Sequence, residues 1–262
     1  MHFQTVLDSL PIGGVFVAYA AFAILSYEVG FRLGWWHQEI TPDEKEGPAG
    51  VLVGSLLGLM AFLLAITTGM ASDRFDTRRG LVLLEANSVG TTYLRAGYLP
   101  ESASSVSRNL LREYVPLRIA TSDMEEMQVK LARSAEIHAA LWSIAEELAR
   151  TTPESDVLAL YIESLNDTID FHSTRLTAGL YARVPETVLF LLFAGSGLTL
   201  GMVGYGAGLL RRRGLITAAA MIIVVGAVIT LVVDLDRPRE GLLTINQQPF
   251  IDLQRQVGPP SL

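Results

Sequence analysis

The chain has 262 residues, half of them hydrophobic, and a net charge of −7. That balance is too apolar for a soluble domain of this length, and it reads as a membrane protein. The acidic charge excludes a nucleic-acid partner, which needs a basic footprint. The absence of cysteine excludes disulfides, zinc–thiolate sites, iron–sulfur clusters and a cysteine nucleophile.

The N-terminal stretch MHFQTVLDSLP has no Lys or Arg ahead of the first apolar run. A cleaved secretory signal starts with a basic region, so the run is read as a true span. It is charge-free between Asp8 and Glu28, and the span is placed at 10–34. Glu28 and Arg32 stand i, i+4 and are expected to pair. Trp35, Trp36 and His37 follow, as aromatics do at the headgroup layer. Gln38 to Gly47, with four acids against Lys45, reads as a solvated turn.

The second span, 49–72, has no charge from Gly47 to Ser72, which exceeds the roughly 20 residues a helix needs to cross hydrocarbon. Gly50, Gly54, Gly58, Ala61, Ala65 and Gly69 recur at small-residue spacing. The first reading of that ridge is helix packing within the subunit; the alternative is that it faces a symmetry axis. Asp73, Arg74, Asp76, Arg78 and Arg79 then follow quickly, and no proline stops the helix before Pro100. One long helix, or two nearly collinear ones, is expected to leave the bilayer.

Residues 73–186 show helical periodicity, with helices placed at 73–97, 102–120, 123–151 and 154–182. Ser122 with Glu125 has capping-box spacing. Thr152 before Pro153 reads as a cap followed by a first-turn proline. Arginines cluster from Arg74 to Arg118 and acids from Asp123 to Asp170, which fits a membrane-proximal basic part and a distal solvated part. The third and fourth spans are placed at 187–210 and 215–233, with Arg211–Arg212–Arg213–Gly214 as a tight hairpin. Residues 235–262 are read as an irregular tail, with 244–251 (TINQQPFI) extended.

The expected fold is therefore an all-α membrane protein with four transmembrane helices in two hairpins (1–72 and 187–234). The hairpins flank a helical extramembrane domain (73–186), and a tail follows (235–262). Parity puts the N-terminus, the domain and the tail on one side. Arg74, Arg78, Arg79, Arg175, Arg183, Arg237 and Arg239 near span ends assign that side to the cytoplasm of an inner membrane.

Two constellations stand out. Asp234 and Asp236 end the fourth span, where acids oppose the helix dipole. With Arg74, Arg78, Arg79 and Arg237 they are expected to form a clamp, or a charged vestibule. Glu85, Ser88, Thr92 and Arg95 share one face of the post-membrane helix, and Glu85 is expected to be satisfied by a neighbouring helix or to line an ion path. His138 and His172 lie on helices among apolar and acidic neighbours, and neither a metal-binding nor a pH-sensing role is expected of them. There is no GxSxG, GxxxxGK[ST] or HExxH motif, so no catalytic residue, metal or cofactor is assigned.

The segments 72–101 (SDRFDTRRGLVLLEANSVGTTYLRAGYLPE) and 234–253 (DLDRPREGLLTINQQPFIDL) resemble a family of bacterial membrane proteins described as bestrophin-like. The resembling features are RFD…RR, EANxxGTxYLR, the following LP, and DLDRP. The resemblance implies a homo-oligomeric ion channel with the second span on the axis. Phe62 is the only aromatic of that span, so a constriction is expected at Leu59, Phe62, Leu63 and Ile66, with Ser55, Leu59, Phe62, Ile66 and Thr67 lining the pore. Expected partners are the lipid bilayer, further copies of the chain and inorganic ions. The rival reading is a membrane-anchored scaffold or sensor, which predicts a large exposed patch on helices 123–182.

Overall fold

The computed structural model describes residues 3–41, 47–121, 123–237 and 241–260. They are helical, without a strand among them. The elements are α1 (Phe3–Asp8), α2 (Ile12–Ile40), α3 (Gly47–Arg95), a 3₁₀ turn (Ala96–Tyr98), α4 (Glu101–Leu117), α5 (Met124–Thr151), α6 (Asp156–Leu180), α7 (Glu186–Leu209), α8 (Leu215–Asp236) and α9 (Gln248–Val257). Contacts divide the chain into a membrane unit, Met1–Arg74 with Arg183–Leu243, and a helical unit, Phe75–Ala182 with Thr244–Leu262. Helix α3 contributes to both.

Among the described residues, four helices are long and apolar enough to cross a membrane: α2, α3, α7 and α8. In the membrane unit, α2 and α7 approach almost backbone to backbone. A Cβ added at Gly30 or Gly34 of α2 would fall on the carbonyl oxygen of Gly201 or Tyr205 of α7, and one at Gly204 or Gly208 would fall on that of Tyr27 or Phe31. Hydrocarbon supplies no hydrophobic drive between helices, so close van der Waals approach carries the association. Around that seam Tyr19 and Ala23 of α2, Met60 of α3, Leu192 and Leu200 of α7, and Ile222 and Ile229 of α8 form the core.

The small-residue ridge of α3 behaves otherwise. Nothing lies within 4 Å of a Cβ added at Gly50, Gly54, Gly58 or Gly69. Packing inside the subunit, the first reading of that ridge, is therefore corrected: the seam uses the glycines of α2 and α7, and the α3 ridge stays open.

In the helical unit the core joins Val82, Ala86 and Val89 of α3 to Leu111, Tyr114 and Val115 of α4, Ile137 and Leu141 of α5, Tyr161 and Leu165 of α6, and Phe250, Leu253 and Val257 of α9. The caps differ from those expected. Asp123 caps α5, its carboxylate accepting from the Glu125 and Glu126 amides; Ser122 lies outside the described residues. Thr152 ends α5, its amide donating to the Leu148 carbonyl, and Ser155 starts α6 by accepting from the Leu158 amide. Helix α4 stops at Leu117, directly after Pro116, rather than at 120.

The tail reading is also corrected. Residues 248–257 form a helix with proline in its first turn, and the 3- and 4-residue spacing of Phe250, Leu253 and Val257 puts all three on one buried face. That face had to be buried, and the core of the helical unit receives it.

Candidate functional site

The membrane-crossing part of α3 has two faces. Met60 and Thr67 are buried, and Met60 and Leu63 lie beside Gly195 of α7. Thr67 is only 1% exposed, and its hydroxyl donates back to the Leu63 carbonyl. That excludes it from the pore-lining set proposed from sequence. Ser55, Leu59, Phe62 and Ile66 lie on the opposite face and are exposed, Phe62 at 61%. Leu63 is half-buried and faces inward, so a constriction on this helix would rest on Leu59, Phe62 and Ile66.

The ionic end of the membrane unit uses partners the spacing did not indicate. Asp236 accepts from the Val184 amide at 2.7 Å and from Arg183 at 3.1 Å, and Arg183 also clamps Asp8 at 2.5 and 3.0 Å. Asp234 accepts from the Leu242 and Leu243 amides at 2.9 and 3.0 Å. Arg237 is buried and donates to the Leu7 and Leu10 carbonyls. The expectation named Arg74, Arg78 and Arg79; within the membrane unit Asp236 also meets Arg183, which the spacing did not single out, and backbone amides donate to Asp234. Of the three expected arginines, Arg74 is half-buried, Arg78 buried and Arg79 exposed. Arg239 lies outside the described residues.

A dense polar cluster in the helical unit centres on Glu85. Its side chain is fully buried. Arg118, following α4, donates at 2.6 Å; Arg175 of α6 donates at 2.8 Å; and the Tyr114 hydroxyl of α4 donates at 3.0 Å. Arg175 also donates to the Arg118 carbonyl and to Gln247, and lies over the Phe250 ring. The His172 Nδ1 stands 3.0 Å from the Tyr114 oxygen, and the His138 ring meets His172 edge-on. One carboxylate thus joins α3 to α4, α6 and the segment before α9. Burial alone would raise the Glu85 pKa; Arg118 and Arg175 outweigh it and hold the carboxyl below its usual range.

Of the remaining residues of the predicted polar face, Thr92 and Arg95 meet α6 and Ser88 bonds within its own helix. Ser88 donates to the Glu85 carbonyl, and Thr92 to the Ser164 carbonyl with its oxygen 3.0 Å from the Thr168 hydroxyl. Arg95 donates to the Leu160 carbonyl and to Glu163. Glu85 was visible in the sequence as an acid in an apolar helix. Arg118 and Arg175 were not, because no local spacing ties them to it.

Burial, then the nearby arginines, lowers His138 to about 4 and His172 to about 3, so both imidazoles are neutral in the folded protein at neutral pH. The unfolded chain takes these protons from about pH 6.5 downward, and it also protonates Glu85 before the folded state does. All three shifts therefore remove stability as the pH falls from about 6.5 toward 3. Between pH 7.5 and 5 the helical unit is expected to lose roughly 1–2 kcal/mol per histidine. Thermal unfolding against pH measures this, and the double variant His138→Gln/His172→Gln should flatten the profile. An unchanged slope in that variant would assign the pH dependence elsewhere.

These features define an all-α, multi-pass membrane protein with a helical domain. A model of the bestrophin-like domain matches residues 20–250, and the chain belongs to that family. No curated protein sequence matches it. A crystal structure described as that of a membrane protein shares the fold, with a TM-score of 0.60 and 13% identity over 92% of this chain and 94% of that one.

Proposed function

We propose that the protein is a homo-oligomeric ion channel of a bacterial inner membrane, with its pore lined by the Ser55, Leu59, Phe62 and Ile66 face of α3. The supporting observation is that a helix with no charge across the membrane leaves this face and the neighbouring glycine ridge uncovered. In an oligomer the ridge lets adjacent subunits approach and the bulkier face turns to the axis. A ring of Leu59, Phe62 and Ile66 gates by dewetting. Arg74 and Arg79, further along the same helix, concentrate anions near the pore mouth. The helical domain lies in the cytoplasm. Family membership supports the same reading.

Ion flux from proteoliposomes holding the purified oligomer tests it. Phe62→Ala is expected to raise flux several-fold over wild type, because a smaller side chain widens and wets the constriction. If neither protein conducts across a range of pH and calcium, the channel reading falls.

One observation favours the scaffold reading. A groove of about 600 Å³ runs between α3 and α9, with Leu83 and Leu94 exposed beside Gln248, Asp252 and Gln256. It lies on α3 and α9 rather than on the 123–182 helices where a docking patch was expected. Capture of a partner that is lost on Leu94→Glu, in a non-conducting protein, would establish this alternative.

A further inference from the structure

The membrane unit contains a second concave feature, away from the α3 face. A crevice of about 490 Å³ lies between α2 and α8. Its walls are apolar along most of their length, with Phe16, Ala20 and Ile24 on one side and Ala219 and Ile223 on the other. At the Tyr19 level the two helices touch: a Cβ at Gly226 would meet the Tyr19 ring at 2.9 Å. Toward the hairpin, the small side chains of Ala20, Ala218 and Ala219 leave the space between the helices open. The volume falls within the roughly 300–1,000 Å³ of small-molecule sites.

The charged groups of the crevice, Glu28 and Arg213, stand together at one end. Arg213 bonds Glu28 at 3.1 and 3.2 Å and lies over the Phe31 ring at 4.4 Å. Glu28 is already held by Arg32 at 2.8 Å, so Arg213 keeps donor capacity to spare. Arg211 and Arg212 adjoin it. Arg211 stacks on Trp35 at 5.1 Å, and the Arg212 guanidinium is exposed and meets no acid among the described residues. The hairpin presents these arginines where a charge-free span ends, at headgroup depth.

We propose that this crevice is a binding site for an anionic glycerophospholipid. One acyl chain lies between α2 and α8, and the headgroup phosphate is held by Arg212 and Arg213. The occupant follows from chemistry. An apolar slot on lipid-crossing helices takes an acyl chain, and a basic cluster at its mouth selects a phosphate without a compensating choline. Zwitterionic lipid fills the slot equally well and loses the charge preference. The inference concerns a different face from the pore reading and does not depend on conduction.

The test uses the full-length protein in neutral detergent. Phosphatidylglycerol and phosphatidylcholine with identical acyl chains are added in turn, and inorganic phosphate is added alone. Retained lipid is counted by native mass spectrometry and stability followed by thermal unfolding. Phosphatidylglycerol should be retained and should raise the melting temperature above the effect of phosphatidylcholine, and phosphate alone should do neither. Arg212→Gln and Arg213→Gln should each cut the phosphatidylglycerol preference about fivefold. Ala219→Trp fills the slot without altering charge, and should reduce retention while both arginines remain. Equal retention of the two lipids would overturn the proposal, as would an equal response to inorganic phosphate. Unchanged retention in Ala219→Trp would place the lipid elsewhere and overturn it too.

Discussion

Glu85→Gln is expected to destabilise the helical unit by about 3–5 kcal/mol, because it leaves two buried guanidinium groups without their counter-charge. The loss exceeds that of an ordinary hydrogen bond. Arg118 and Arg175 are both largely buried, and each would retain a charge in a site of low polarity. The one amide oxygen of glutamine would also have to serve Arg118, Arg175 and the Tyr114 hydroxyl, which the two carboxylate oxygens share. The control is Glu163→Gln, whose pairing with Arg95 is largely exposed and worth at most about 1 kcal/mol. Combining Glu85→Leu with Arg118→Met and Arg175→Met should recover part of the loss, since an apolar set of similar volume replaces a buried ionic one at little cost. Thermal or denaturant unfolding of the full chain gives the ranking. Equal destabilisation by Glu85→Gln and Glu163→Gln would mean that the buried cluster is solvated and not an ionic node.

Gly204→Ala is expected to prevent α2 and α7 from closing. The single added methyl falls on the Tyr27 carbonyl oxygen, and backbone cannot step aside as a flexible side chain would. Separating the helices forfeits the contacts of Gly30, Gly34 and Gly208 along the same seam. The cost should therefore lie near or above the upper end of the usual 1–3 kcal/mol for overpacking, at about 3 kcal/mol. Gly206→Ala on the same helix is the matched control, since open space surrounds its Cβ position. It should be neutral or slightly stabilising through helix propensity. A shared melting temperature for the two variants would show that the seam is looser than the structure has it.

These two sites differ in how far they could be read in advance. The glycine-rich character of α7 is plain in the chain, but glycine marks both a tight seam and an open ridge. Gly204 and Gly58 look alike as residues; one meets a carbonyl and the other meets nothing. Glu85 was conspicuous as a lone acid among leucines. Its partners lie 33 and 90 positions away, beyond any helical period. Arg183 and Asp236 are likewise 53 residues apart and meet because two spans intervene.

Length of apolar run, charge placement and helical periodicity are local properties, and they sufficed for four spans and a helical domain; the bestrophin-like resemblance rested on the RFD…RR, EANxxGTxYLR and DLDRP motifs. A span shows itself by the absence of charge over enough residues, and no tertiary contact is needed to see that. The face a helix turns inward is another matter. Ser55, Phe62 and Thr67 all lie on one uncharged span, and only the packing of the folded membrane unit decides that Thr67 is buried while Ser55 and Phe62 stay open. In the same way Phe250, Leu253 and Val257 became legible as a helix face once the helical unit offered a core to receive them. Pattern along a chain specifies elements, because each depends on near neighbours. Pairing between elements depends on distant residues brought together by packing, and it belongs to the folded structure alone.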